Sequence, residues 1–204
     1  MRVIIIGNSP SKSFKKNYIK KENDYVITCD NGIREVNSQE VSLAIGDFDS
    51  GGKNLANHAL KKKTYPSQKD QTDLELAFME ISNLNDVDEV LIYDACGGRI
   101  DHYLINLKLI NKYQEKYHYQ IELIGEKEII KFLPIGDYLI ENNNYHYVSL
   151  INFEKAIVTL EGFEYNLKEY LLTTDNTMTS SNKFKNTKGR IIVHSGAVFL
   201  ILIK

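Results

Sequence analysis

The sequence predicts an α/β chain in two parts: an N-terminal Rossmann-like domain built on a parallel sheet, followed by a small all-β sandwich. Three observations lead there. Apolar runs at Met1–Ile6, Tyr25–Thr28, Val41–Ile45 and Val90–Tyr93 are continuous rather than alternating, as expected of strands covered on both faces. Stretches of helical composition lie between or after them, at residues 14–22, from Thr72 to Ile81 and at residues 103–117, which gives βαβ spacing. From about Ile121 the texture changes to short alternating or β-branched runs without long helices between them: Ile121–Ile124, Glu128–Leu133, Tyr145–Ile151, Ala156–Leu160 and Arg190–Ile203. The expected boundary lies near Gly125, giving domains 1–125 and 126–204, although a strand starting at Ile121 fits either sheet.

A chain of 204 residues with 43% hydrophobic content can bury such cores. Its 25 basic and 27 acidic residues leave a net charge of −2, so no basic field argues for a nucleic-acid partner. No apolar run approaches the roughly 20 residues of a membrane span, and the opening Met1–Gly7 is too short for a signal peptide and reads as a first strand. Cys29 and Cys96 each sit near a buried strand end and are assigned to packing. Without a CxxC pair they support neither a disulfide framework nor a zinc site, and the expected compartment is the cytoplasm.

Taken in order, the first strand breaks at Gly7-Asn8-Ser9-Pro10, and the second ends in Cys29-Asp30-Asn31-Gly32, with a short helix expected from Ile33. The third ends in Gly46-Asp47-Phe48-Asp49-Ser50. Two aspartates one residue apart after a strand can aim both carboxylates at one site. Gly, Asp and Ser also describe an ordinary turn; the recurrence of acids at other junctions favours the site. Thr72 and Glu75 have capping-box spacing, placing Asp73 in the first turn of a helix that buries Leu74, Ala77, Phe78 and Ile81. An acid there also suits the helix dipole without any ligand.

The strand at Val90–Tyr93 leads into Gly97-Gly98-Arg99-Ile100-Asp101-His102. Here glycines permit close backbone approach, Arg99 offers a fork of donors for phosphate, and Asp101 adds a carboxylate. The competing reading is a tight turn with Arg99 and Asp101 in a surface ion pair, and a lone His102 at a helix start also suits capping. In a parallel sheet, ligands bind beyond the carboxyl ends of the strands. Asp30, Asp47, Asp49 and Asp101 would gather there, with Asp70 and Asp73 reaching in from a helix start. Such acids repel one another unless a hard divalent cation such as Mg²⁺ intervenes. In the second part, Gly162–Leu167 and Thr173–Asn182 read as surface loops, Asn142–Asn144 as an exposed turn, and Ser195-Gly196 as a two-residue hairpin.

This ordered set of motifs resembles the thiamine pyrophosphokinase family over nearly the whole chain, with Gly162–Leu167 and Ser181-Asn182 agreeing in the second part. The resemblance implies transfer of the pyrophosphoryl group of ATP to the hydroxyl of thiamine, giving thiamine diphosphate and AMP. It implies an ATP-binding catalytic domain, then a thiamine-binding domain, and a homodimer whose active site lies between subunits. Mg²⁺ would be held by Asp47, Asp49, Asp73 and Asp101. Asp70 would orient or deprotonate the hydroxyl, with Asp73 and Arg99 completing the catalytic set. The nucleotide would meet Asp30, Gly32, Asp49, Ser50, Thr72, Gly98, Arg99 and His102, and thiamine would meet Ser181 and Asn182. No G-x-x-x-x-G-K-[ST] sequence is present, so no P-loop holds the phosphates.

The sequence departs from the family pattern at Asn31, where a glycine is usual, and at Lys183, where an acid is usual. It has no tryptophan, so ring stacking falls to Tyr or Phe. Three other readings remain open at this point. The chain could pyrophosphorylate another hydroxymethyl heterocycle such as a pterin, bind Mg-nucleotide without turnover, or hydrolyse phosphate with Mg²⁺.

Overall fold

A computed structural model describes residues 1–48, 53–66 and 68–204. They form two compact units, Met1–Glu126 and Lys127–Lys204. In the first, the strands are β1 (Arg2–Ile6), β2 (Tyr25–Cys29), β3 (Leu43–Gly46), β4 (Lys61–Thr64), β5 (Glu89–Tyr93) and β6 (Gln120–Ile124). All pair in parallel, in the order β4-β3-β2-β1-β5-β6. The strand starting near Ile121 therefore belongs to the first unit. The helices are α1 (Ser13–Asn17), α2 (Lys53–Ala56), α3 (Asp73–Ile81) and α4 (Ile100–Tyr117), with 3₁₀ turns at Asp30–Glu35 and Ser38–Glu40.

Both faces of this sheet are covered, which explains the continuous apolar runs. Ile4, Ile6, Val26, Ala44 and Leu91 share one core with Phe14 of α1 and Ile33 of the 3₁₀ turn. Because side chains alternate along a strand, Ile5, Ile27, Ile45 and Ile92 face the other layer, and all four are fully buried. There α3 touches β1, β2 and β3, and α4 touches α3 and β6. Burying each such side chain contributes about 1.5–3 kcal/mol, so this double coverage outweighs any single polar contact. The rings of Phe78 and Tyr113 stack at 4.6 Å between α3 and α4.

One expectation for this unit needs correction, and one strand was not foreseen. The helix expected over residues 14–22 ends at Asn17, and Tyr18 is already extended. Arg2 competes for that segment: its guanidinium donates to the Ile19 carbonyl at 2.8 Å and to Asp24 at 2.7 and 2.6 Å, and Asp24 also accepts from Lys21 N at 3.0 Å. β4, with sequence Lys-Lys-Lys-Thr, carried no apolar signal. It is an edge strand, and lysines there discourage pairing with another chain.

In the second unit the strands are β7 (Glu128–Leu133), β8 (Gly136–Glu141), β9 (Tyr147–Ile151), β10 (Ala156–Glu161), β11 (Leu167–Leu172), β12 (Lys188–Ser195) and β13 (Val198–Ile203). They form two antiparallel layers, β7-β13-β9 and β11-β10-β12-β8. One core holds Leu150, Val198 and Leu200 from the first layer with Val158, Leu160 and Val193 from the second. That is a β-sandwich.

The expected hairpin at Ser195-Gly196 is not one. β12 pairs with β10 and β8, whereas β13 pairs with β7 and β9, so this turn carries the chain from one layer to the other. Ile191 and Val193 share the core with Val198, Leu200 and Leu202, so the two strands meet face to face rather than edge to edge. Gly196 makes the crossing at φ +69, where a Cβ would lie 2.3 Å from the Lys155 carbonyl oxygen.

Phe163, 1% exposed, fills the core directly against Gly189, where an added Cβ would fall 2.2 Å from the ring. Gly189→Ala should therefore cost about 1–3 kcal/mol, read as a lower urea midpoint with an unchanged slope. An unchanged midpoint would show that the Phe163 ring can move aside.

Candidate active site

The chain builds β1 to β4 toward one edge of the parallel sheet and then jumps to β5 and β6 on the far side of β1. Loops leaving β1 and β5 therefore diverge, and a crevice opens between them at the carboxyl ends of the strands. A cavity of about 710 Å³ occupies that place in the first unit. Gly7 and Asp94 follow β1 and β5 into it, and Asp30 and Asp47 follow β2 and β3.

The two diverging loops are tied together by backbone bonds. Gly7 N donates to the Tyr93 carbonyl at 2.8 Å, and Ser9 N to the Asp94 carbonyl at 2.8 Å. Ser9 Oγ donates to the Cys96 carbonyl at 2.6 Å. A Cβ on Gly7 would lie 2.4 Å from the Asp94 carbonyl oxygen, so only glycine fits. Gly98 turns at φ +75 against the Pro10 ring. The buried Asp94 side chain accepts from Ser13 Oγ at 3.0 Å and Phe14 N at 3.2 Å, and burial raises its carboxyl above the ordinary range.

On the other wall, Thr72 caps α3 by accepting from Glu75 N at 3.2 Å, which fixes Asp73 in the first turn. The Glu75 carboxylate does not close a capping box and pairs with Lys112 at 2.8 Å. Asp30, at φ +47, accepts from Asp47 N at 3.2 Å and Phe48 N at 3.5 Å. Burial, then the hydrogen bond and charge of Asp73, then the charge of Asp47, push the Asp30 carboxyl up to about 7. Lys69 Nζ lies 2.7 Å from Asp73 Oδ1.

The structure thus brings Asp30, Asp47, Thr72, Asp73, Gly98, Arg99 and His102 of the expected residues to one cavity. It does not bring Asp101 there. Asp101 is exposed and paired with Arg99 at 3.1 and 2.5 Å, and that guanidinium holds its carboxyl down at about 2. The surface-ion-pair reading of this junction is the arrangement seen. Asp70 is exposed and does not line the cavity. Gly32 is buried behind the wall, where a Cβ would lie 2.4 Å from the Ile6 carbonyl oxygen, so close packing on β1 explains this glycine. Asp49 and Ser50 lie outside the described residues. Among the described residues, no group of three or more His, Cys, Asp or Glu is spaced to hold a metal.

In the second unit, Asn182 is 4% exposed and committed to the fold. Its side chain donates to the Tyr165 carbonyl at 2.8 Å and accepts from Tyr165 N at 3.0 Å and Lys183 N at 2.9 Å. It anchors the loop at residues 162–166, whereas the neighbouring Ser181 is exposed, at φ +58. A separate cavity of about 430 Å³ is lined by Tyr145, Tyr147, Lys183 and Phe184, among others, with Lys183 Nζ 5.8 Å from the Tyr147 ring centre.

Residues 16–123 match the family profile "Thiamin pyrophosphokinase, catalytic domain", and residues 137–198 match "Thiamin pyrophosphokinase, vitamin B1 binding domain". The chain belongs to the thiamine pyrophosphokinase family. It is similar to the thiamine pyrophosphokinase of Bacillus subtilis (strain 168), with 34% identity over 165 residues, 78% of this chain and 76% of that protein. The solved structure of thiamine pyrophosphokinase from Bacillus subtilis superposes with a TM-score of 0.86 at 28% identity, covering 100% of this chain and 99% of that one. That of thiamin pyrophosphokinase from Geobacillus thermodenitrificans does so with a TM-score of 0.82 at 25% identity, covering 100% and 98%. Membership makes the chain an enzyme of this kind, a transferase.

Sequence reasoning missed Lys69, Asp94 and Asn106 as cavity residues. Asn106 had a signal: it is a polar residue on the buried face of α4, beside Leu107 and Ile110, and its Nδ2 donates to the Ala95 carbonyl at 3.0 Å. Asp94 had only its place after a strand.

The raised Asp30 carboxyl has a consequence for stability. A carboxyl that keeps its proton to higher pH in the folded chain adds stability that is full below its ordinary value of 3.8 and is lost as pH rises through about 7. The metal-free protein should therefore lose stability across that window, and Asp30→Asn should flatten the loss. Urea midpoints measured across the window check this; parallel slopes for the two proteins would refute the assignment.

Proposed function

We propose that the first unit binds ATP with Mg²⁺ in the cavity beyond β1 and β5. The pyrophosphoryl group passes from there to the hydroxyl of thiamine held by the second unit. The observation that carries this reading is the convergence of the Gly97-Gly98-Arg99 turn with the carboxylates of Asp30, Asp47 and Asp73 at the switch point of a parallel sheet. Backbone N–H groups and a guanidinium suit phosphate oxygens, whereas the carboxylates would repel them unless a cation lies between.

The donor set fits Mg²⁺. This ion takes one or two protein carboxylates and completes its shell with phosphate oxygens and water, so three spaced ligands are not required. Asp47 and Asp73 would hold it, with Asp49 and Asp101 the further ligands that the family resemblance implies. When bound, Mg²⁺ neutralises charge on the polyphosphate. Arg99 would leave Asp101 for the phosphates, and His102 and Thr72 would face the nucleotide.

The thiamine hydroxyl oxygen attacks the β-phosphorus, the bond to the α-phosphate bridging oxygen breaks, and AMP departs. Asp70 would orient the hydroxyl and take its proton. Alignment and charge neutralisation carry most of such a transfer. Ser181, whose N–H donates to Ser149 Oγ at 2.9 Å, would contact thiamine, while the Asn182 side chain is committed to the Tyr165 loop. Tyr145, Tyr147 and Phe184 supply aromatic surface near Lys183 in a chain without tryptophan.

A homodimer would let the second unit of one subunit serve the cavity of the other. Two buried cysteine thiols suit a reducing cytoplasm, and no helix among the described residues is long and apolar enough to cross a membrane.

AMP release from ATP and Mg²⁺, measured with and without thiamine alongside thiamine diphosphate, tests the reaction. Equal, thiamine-dependent amounts of both products are expected; ADP, or AMP formation indifferent to thiamine, would refute it. Asp73→Asn should lower turnover about 10²-fold or more while keeping a cooperative unfolding transition. Ser181→Ala should raise the thiamine KM with little change for ATP. An unchanged thiamine KM would place the Ser181 loop outside the site.

A further inference from the structure

Lys69 precedes the cap of α3, and both members of its ion pair with Asp73 are largely buried, the side chains retaining 14% and 21% exposure. The other cation lining the cavity, Arg99, is committed to Asp101 and its side chain is 71% exposed. Among the described residues of the cavity, Lys69 is therefore the cation facing the acids.

Lys69 reaches Asp73 through Oδ1, and a divalent ion taking that oxygen must displace the ammonium. A displaced lysine on a flexible four-carbon stem stays inside the cavity, where its new partner would be a phosphate oxygen. The i,i+4 spacing, with the Thr72 cap between the two residues, places the stem beside Asp73.

We propose that Lys69 is a catalytic residue with two positions: it pairs with Asp73 when no metal is bound, and it moves to the polyphosphate once the metal takes that carboxylate. This rests on the reading that a metal-bound polyphosphate occupies the cavity. It predicts opposite effects of one substitution, because losing the competitor favours the ion while losing the phosphate contact slows the reaction.

The test uses Lys69→Met in the full chain, with Mn²⁺ alone as the probe and free Mn²⁺ followed by electron paramagnetic resonance. The variant should bind Mn²⁺ about tenfold more tightly than the wild type, turn over about 10²-fold more slowly, and keep its thiamine KM. Lys69→Arg should restore part of the turnover and weaken Mn²⁺ binding again. Equal Mn²⁺ binding by wild type and Lys69→Met, or none by either, overturns the proposal, as does unchanged turnover. Should Lys69→Met fail to fold, Lys69→Gln keeps a donor for Asp73 without the charge and is judged by the same criteria. Thiamine-dependent AMP formation by the wild type is scored separately, so failure of the Lys69 inference is distinguishable from failure of the underlying reaction.

Discussion

Burial of parallel strands on both faces is the constraint from which the first unit follows. Such strands cannot be joined by hairpins, so each connection crosses a face, and all the strands end at the same edge. Where the crossing direction reverses at β1, the loops part, and the residues after the strands become the walls of a cavity. The bonds among Gly7, Ser9, Tyr93 and Asp94 then tie the two parting loops together. Its chemistry depends on an apolar sheet that contributes no catalytic atom.

The acids in that cavity conflict with one another, and the fold tolerates the conflict by distributing it. Asp30 accepts from two backbone N–H groups while burial and Asp73 incline it to the neutral form, Asp73 is countered by Lys69, and Asp101, outside the cavity, is paired with Arg99. Isolated buried carboxylates would cost far more than paired ones, so the charges of this cavity are held against partners.

Much of the fold was legible because apolar continuity and helix caps are local signals. β1, β2, β5 and α3 lie close to where Ile, Val and the Thr72 cap place them. What failed was non-local. Nothing in Lys61–Thr64 reveals that an edge position suits a lysine-rich strand, and the segment after Asn17 is drawn out by Arg2 from another strand. Ser195-Gly196 has hairpin chemistry, yet the sandwich core demands that its flanking strands face each other. In the site, Asp30, Asp47 and Asp73 were legible as acids following strands or opening a helix. The outward turn of Asp101 toward Arg99 and the inward commitment of Asn182 depend on side-chain partners that spacing does not specify.

The position of β13 bears on how the protein is made. Every strand of the first unit has been translated by Ile124, so that unit can assemble while the ribosome is still working. β13 lies between β7 and β9, and about 70 residues of sequence separate it from β7. Until Val198–Ile203 emerge, β7 and β9 expose unpaired edges and half a core. The second unit is consequently the slow and aggregation-exposed part of synthesis, and a nascent chain stalled before Val198 would be one for chaperones to shelter.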